Sequence, residues 1–218
     1  DLGVPAKIAA VLSAQGIDTP FPIQVDSLPD TLAGRDVLGR GKTGSGKTLA
    51  FGIPMVARLA VSSNSNQGMR KPRGLVLAPT RELATQITNA LQPLANAMNL
   101  RVTTIFGGVP QKKQVQALRD GVEIIVATPG RLEDLMAQGI LKLDAIEITV
   151  LDEADHMADL GFLPGVTRIL NATPRGGQRL LFSATLDNGV KKLVDKFLQN
   201  QVMHAVDDAN SPVTQMTH

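Results

Sequence analysis

The run Gly41-Lys42-Thr43-Gly44-Ser45-Gly46-Lys47-Thr48 constrains this chain more than any other stretch. It meets every fixed position of G-x-x-x-x-G-K-[ST], the pattern of a phosphate-binding loop. Apolar Val37-Leu38 before it and Leu49-Ala50-Phe51-Gly52-Ile53 after it predict strand, loop and helix in that order. Gly41, Gly44 and Gly46 admit backbone angles closed to other residues, so successive N–H groups can face one anion. The positive end of the following helix dipole adds to that field. Lys47 is then placed for the outer phosphates and the Thr48 hydroxyl for magnesium. A glycine-rich turn ahead of an ordinary helix is the competing reading, and it leaves the full octet unexplained.

The rest of the chain supplies a setting for such a loop. Apolar strands are expected at Asp36 to Arg40, Gly74 to Ala78, Val102 to Phe106, Val122 to Ala127, Ile146 to Leu151 and Arg179 to Phe182. Helices are expected at Val4 to Gln15, then through Leu32, from the loop to Val61, at Glu82 to Asn96, Gln111 to Leu118 and Arg131 to Gln138. A turn and helix then run through Leu170, and Val190 to Leu198 is the last helix. Strands apolar throughout and separated by helices imply an α/β fold, a mainly parallel sheet with helices on both faces. Functional residues of such folds gather at the carboxyl ends of the strands. Ser62 to Gly68 reads as a flexible surface loop. Residues 1–206 read as one domain, and the polar segment 207–218 as a linker or tail.

Composition narrows the chemistry. With 218 residues and 43% hydrophobic, the chain can bury a core without staples. Cysteine is absent, which excludes disulfides and thiolate chemistry and fits a reducing cytosol, so a cytoplasmic location is expected. No apolar run approaches a membrane span. The net charge of +2 is a weak argument for nucleic acid, and with no Trp, no Tyr and six Phe, base stacking is a poor route to one. Any nucleic acid would be gripped by its backbone.

Local residues supply that grip. Leu151-Asp152-Glu153-Ala154-Asp155 ends an apolar strand in acids, which suits an Asp that holds magnesium and a Glu that polarises water. Acids complementing a helix dipole are the alternative. Pro79-Thr80-Arg81 and Thr128-Pro129-Gly130-Arg131 each set a hydroxyl and a guanidinium at a strand end beside a helix start, and both groups contact phosphates readily. Gly107-Gly108 would let a backbone approach closely. For each, a helix cap with an exposed Arg is the alternative. Lys112-Lys113 and Lys191-Lys192 read as solvated helix faces. His156 either lines the site or is structural, and His204 and His218 suggest nothing.

Asp152-Glu153-Ala154-Asp155 spells the name of the DEAD-box RNA helicases, and further matches follow that family's order, so the chain resembles their N-terminal RecA-like domain. Gly16 to Gln24 resembles the glutamine motif, which implies adenine recognition by Gln24, with Ile17, and ATP over other nucleotides. The resemblance implies nucleotide contacts from Thr43, Gly44, Ser45, Gly46, Lys47, Thr48 and Leu49, and Mg2+ on Thr48 and on Asp152, directly or through water. It implies catalysis by Lys47, Asp152 and Glu153, and RNA contacts from Pro79, Thr80, Arg81, Gly107, Gly108 and Thr128 to Arg131. Ser183-Ala184-Thr185, with Asp155 linked to it, resembles the motif coupling ATP state to strand separation. The implied activity is RNA-dependent ATP hydrolysis with unwinding of short duplexes. An ATP-gated RNA clamp uses the same motifs, whereas Gln24 and Pro79-Thr80-Arg81 argue against a generic P-loop NTPase or DNA helicase.

Departures from the family pattern set further expectations. Gly41 replaces a common Ala, which the loop tolerates, and Phe21 replaces a small hydroxyl residue of the glutamine motif. An aromatic expected to pack on adenine would fall just before Asp1, which implies weakened nucleotide affinity. Nothing after Thr185 resembles the second RecA-like domain with its arginine fingers, which are worth about 10³ to 10⁵ in rate. This stretch alone is therefore expected to bind ATP or ADP with little hydrolysis and no unwinding.

Overall fold

In a computed structural model, residues 3–17, 19–20, 22–41, 46–62 and 71–206 are described. Phe21, Thr43, Gly44, Ser45, most of the expected loop at Ser62 to Gly68, and the expected tail at 207–218 lie outside them. Among the described residues, seven strands form one sheet: β1 (Val37–Gly41), β2 (Gly74–Leu77), β3 (Val102–Ile105), β4 (Ile124–Ala127), β5 (Ile148–Leu151), β6 (Gln178–Ser183) and β7 (Val202–Val206). Their order is β3-β4-β2-β5-β6-β1-β7, and every pairing is parallel. Helices α1 (Ala6–Ala14), α2 (Pro22–Leu32), α3 (Lys47–Ser62) and α4 (Arg81–Ala97) precede β3. They are followed by α5 (Lys112–Asp120), α6 (Pro129–Ala137), α7 (Ala154–Asp159), α8 (Leu163–Asn171) and α9 (Asn188–Phe197).

Alternation along buried strands feeds two core layers. Val76, Val126, Val150, Leu180 and Phe182 pack on one face with Phe51, Met55 and Leu59 of α3 and Ile87 and Leu91 of α4. Leu75, Leu77, Ile125, Leu151 and Leu181 pack on the other with Leu132, Met157, Ile169 and Leu193 of α6 to α9. At Gly39 the backbone runs close against a ring, since an added Cβ would stand 2.5 Å from Phe182 Cδ1.

Two local features differ from the expectations. The region after Leu151 holds two helices rather than one through Leu170. Gly161, at φ +78, ends α7 as the Phe162 N–H donates to the Met157 carbonyl at 2.9 Å and the Gly161 N–H to the Ala158 carbonyl at 3.0 Å. That left-handed cap favours glycine and turns the chain before α8 can start. Strand β7 was not expected at all. It adds to the edge at β1, pairing Val37 with Val202 and Gly41 with Val206, so His204 lies in the sheet. The buried Asp36 carboxylate secures the start of that edge, accepting the Arg179 and Gln199 N–H groups at 2.8 Å each.

Candidate functional site

Strand ends build the site. Lys47 opens α3 directly after the glycine loop, and Asp152 follows β5, two strands away across β6. Their side chains meet over the sheet rim, with Lys47 Nζ 2.8 Å from an Asp152 carboxylate oxygen. Both are buried, and Asp152 is 0% exposed. Apart from this ion pair, neither Asp152 side-chain oxygen meets a hydrogen-bond partner among the described residues. Burial pushes the Asp152 carboxyl above its ordinary 3.8, and the Lys47 charge pulls it part of the way back. A buried carboxylate with open acceptor sites beside a cation is costly to keep unless something else completes it.

A magnesium ion suits such a buried carboxylate. It is usually held by one or two carboxylates plus substrate phosphates, not by an all-protein cage. Asp152 offers one such carboxylate beside the start of α3, and among the described residues no group of three or more His, Cys, Asp or Glu could hold a metal ion by itself.

Gln24 reaches the same loop from α2, where its amide nitrogen donates to the Gly46 carbonyl at 3.1 Å. That carbonyl also accepts the Ala50 N–H at 2.9 Å, and Gly46 sits at φ +91, a value that favours glycine. The glutamine thus touches the last glycine of the loop and is almost fully buried. Leu49 is half-buried against the core beneath, and Ile17 is half-buried, with its N–H donated to the Leu12 carbonyl at 2.8 Å.

Glu153 adopts a left-handed backbone, φ 52 and ψ 55, at the start of α7. Such a conformation costs a non-glycine residue about 1–2 kcal/mol, and strain of this kind concentrates at functional sites. Its carboxylate lies 3.3 Å from His156 Nδ1, so the histidine borders the site. The Asp155 link to Ser183 exists, but through the backbone: the Asp155 N–H donates to Ser183 Oγ at 3.2 Å. Ser183 Oγ in turn donates to the Thr185 carbonyl at 2.6 Å, and half-buried Ala184 lies between them in the chain.

The Thr and Arg motifs occupy the other half of the rim, after β2, β3 and β4. Thr80 caps α4, accepting the Leu83 N–H at 3.1 Å, and Pro79 beneath it is buried. Thr128 makes no such cap bond, and Pro129 fills the first turn of α6. Arg81 lies over the Phe106 ring at 5.0 Å, beside Gly108. Arg131 donates to Gln114 Oε1 at 3.1 Å and to the Val109 carbonyl at 2.7 Å, while exposed Gly130 has no neighbour where a Cβ would project. Residues expected from three separate motifs are thus brought together. Sequence reasoning missed two members, Phe106 and Gln114, which carried only strand and helix signals. Lys112, Lys113, Lys191 and Lys192 are exposed on helix faces, as expected.

A DEAD/DEAH box helicase family model matches residues 21–193. The chain is 41% identical to "DEAD-box ATP-dependent RNA helicase 53" of Oryza sativa subsp. japonica, over 93% of this chain and 33% of that protein. It is 44% identical to "ATP-dependent RNA helicase RhlB" of Pasteurella multocida (strain Pm70), over 88% of this chain and 46% of that protein. The fold matches the crystal structure of a DEAD box protein from the hyperthermophile Methanococcus jannaschii at a TM-score of 0.85 and 32% identity, over 95% of this chain and 55% of that one. The chain thus spans about a third to a half of the length of these relatives.

Proposed function

Since the chain belongs to the DEAD/DEAH box helicase family, we propose that it is the ATP-binding RecA-like motor domain of an RNA helicase, taking Mg-ATP on one half of its rim and RNA backbone on the other. The observation that carries the reading is the buried Lys47–Asp152 pair at 2.8 Å, two groups of opposite charge that a phosphate and a magnesium ion would separate and satisfy. In this reading residues 1–206 form the first RecA-like domain, and 207–218 lead toward a second.

Lys47 moves from Asp152 to the outer phosphates, and Gly46 and Thr48 hold them from the loop and helix start. Asp152 and Thr48 hold Mg2+, which when bound supplies charge neutralisation at the phosphates. Glu153 accepts the proton of the attacking water at its carboxylate, with His156 steadying it from 3.3 Å. Gln24 orients adenine while gripping Gly46, so base recognition and loop shape are tied. Thr80, Arg81, Gly107, Gly108, Thr128 and Gly130 take the RNA backbone, which leaves recognition independent of sequence. Ser183 to Thr185 answer to Asp155 and relay the state of the acid segment.

Glu153→Gln in the two-domain protein tests the assignment. RNA-stimulated ATP hydrolysis is expected to fall about 10²- to 10⁴-fold while ATP still binds. Hydrolysis at a near-unaltered rate would remove Glu153 from its role.

A further inference from the structure

We propose that Gln114 is a positioning residue for RNA binding: with Arg131 it holds the Phe106–Pro110 loop in the shape that presents the Gly107-Gly108 backbone. The inference rests on the reading of this rim as an RNA-binding surface. Gln114 stands in the first turn of α5 and is 8% exposed. Its amide nitrogen donates to the Phe106 carbonyl at 2.9 Å, and its oxygen accepts Arg131 Nη1 at 3.1 Å. Arg131 Nη2 donates to the Val109 carbonyl at 2.7 Å. The loop is therefore tied at both shoulders, at 106 and at 109, with the two glycines between.

The loop leaves β3, an edge strand whose one neighbour among the described residues is β4. Among the described residues no ladder holds it beyond Ile105, so its shape depends on side chains. Arg81 closes it from above, lying over the Phe106 ring at 5.0 Å. Gly108 sits at φ +81, in the left-handed region that favours glycine, with Arg81 Nη1 2.6 Å from where a Cβ would stand. Phe106 is thus caught between two motifs, its ring under Arg81 and its carbonyl on Gln114. Both terminal nitrogens of Arg131 point into this network, so Arg131 serves RNA through the loop and not as a charge on a phosphate.

Gln114→Met keeps length and volume and removes both hydrogen bonds. Without RNA, amide hydrogen exchange at Gly107, Gly108 and Val109 is expected to quicken about tenfold, with β2 and β5 amides unchanged as the control for folding. With a fluorescent single-stranded oligouridylate, Mg2+ and a non-hydrolysable ATP analogue, affinity is expected to fall about tenfold with the same salt dependence. Arg131→Met is expected to weaken RNA likewise, again without changing the salt slope, and the double variant to be no worse than either single one. Unchanged exchange, or an RNA affinity within about twofold of the unaltered chain, overturns the inference. A salt slope lower by about 0.7 in Arg131→Met makes Arg131 a direct phosphate contact and overturns its indirect role. An unaltered chain that binds no RNA, with the loop still loosened by Gln114→Met, overturns the RNA reading and not the clamp.

Discussion

Replacing Lys47 by Met removes the charge from the centre of the site while keeping most of the aliphatic stem. Asp152, fully buried, loses its partner at 2.8 Å. At that separation and an effective dielectric constant of about 20, the attraction removed is about 6 kcal/mol. That figure is gross, because each ion has given up several kcal/mol of hydration to be there. Loss of one partner of such a pair therefore costs about 3–5 kcal/mol, whereas loss of both, with apolar replacements, is near neutral or stabilising. For a chain of this size the single change lowers Tm by about 6–20 °C.

The pH dependence separates a stranded charge from lost packing. Burial raises the Asp152 carboxyl above 3.8, Lys47 opposes that rise, and removing Lys47 lifts it further. The folded chain then keeps a proton at a pH where the unfolded chain has released it, so stability falls as pH rises. The contribution of this group is fully favourable below the unfolded value and is lost as pH climbs through the folded one. The deficit of Lys47→Met relative to the unaltered chain is thus small in acid and largest near neutrality. Urea unfolding without nucleotide, followed by circular dichroism across that range, measures it for Lys47→Met, Asp152→Leu and the double variant. A single-variant cost below about 1 kcal/mol at neutral pH, or a double variant as unstable as Lys47→Met, refutes the argument.

Gly39→Ala drives a methyl to within 2.5 Å of the Phe182 ring and is expected to cost about 1–3 kcal/mol in urea unfolding; an unchanged midpoint would mean the ring moves aside freely. Glu153→Gly relieves a left-handed backbone and is expected to raise stability by about 0.5–1 kcal/mol after glycine's own entropy, while abolishing hydrolysis in the two-domain protein. A drop in stability there would show that the conformation is not strained. Gln24→Ala removes the bond to the Gly46 carbonyl and is expected to weaken ATP binding by about tenfold and erase the preference for ATP over GTP in a nucleotide titration. A preserved preference would place adenine recognition elsewhere.

Much of the fold was legible because its strands are apolar throughout and its helices are punctuated. Six strands were expected from such runs, and each is found with ends shifted by a residue or two. Strand β7 escaped because Val202-Met203-His204-Ala205-Val206 is partly exposed and lies at an edge, where one neighbour rather than an apolar run defines the strand. The break at Gly161 escaped because a helical period continues past it, and only the left-handed cap reveals the turn. Within the site, Lys47 and Asp152 could be named from spacing, since both follow apolar strands in a fixed chemical pattern. The strained backbone of Glu153 and the inward donation by Arg131 could not, since both depend on what stands opposite once the sheet has closed.

Strand order is the information that periodicity does not carry, and it decides what the motifs become. Each motif except the Gln24 segment is expected at a strand end, but a list of strand ends has no neighbours. In the order β3-β4-β2-β5-β6-β1-β7, the ends of β5, β6 and β1 adjoin, which gathers the acid segment, Ser183 and Gly41. The ends of β3, β4 and β2 adjoin likewise, which gathers Gly107-Gly108, Thr128 to Arg131 and Pro79 to Arg81. The two halves meet at the β2–β5 ladder, where Leu77 pairs with Leu151 and the Asp152 N–H donates to the Leu77 carbonyl at 2.9 Å. One residue further on, Ala78 leads into Pro79-Thr80, and on the other strand Asp152 leads into Glu153. The backbone of the buried acid is thus hydrogen-bonded to the strand that carries the Thr80 cap, so a shift at Asp152 has a physical route to α4 that no spacing in the sequence discloses.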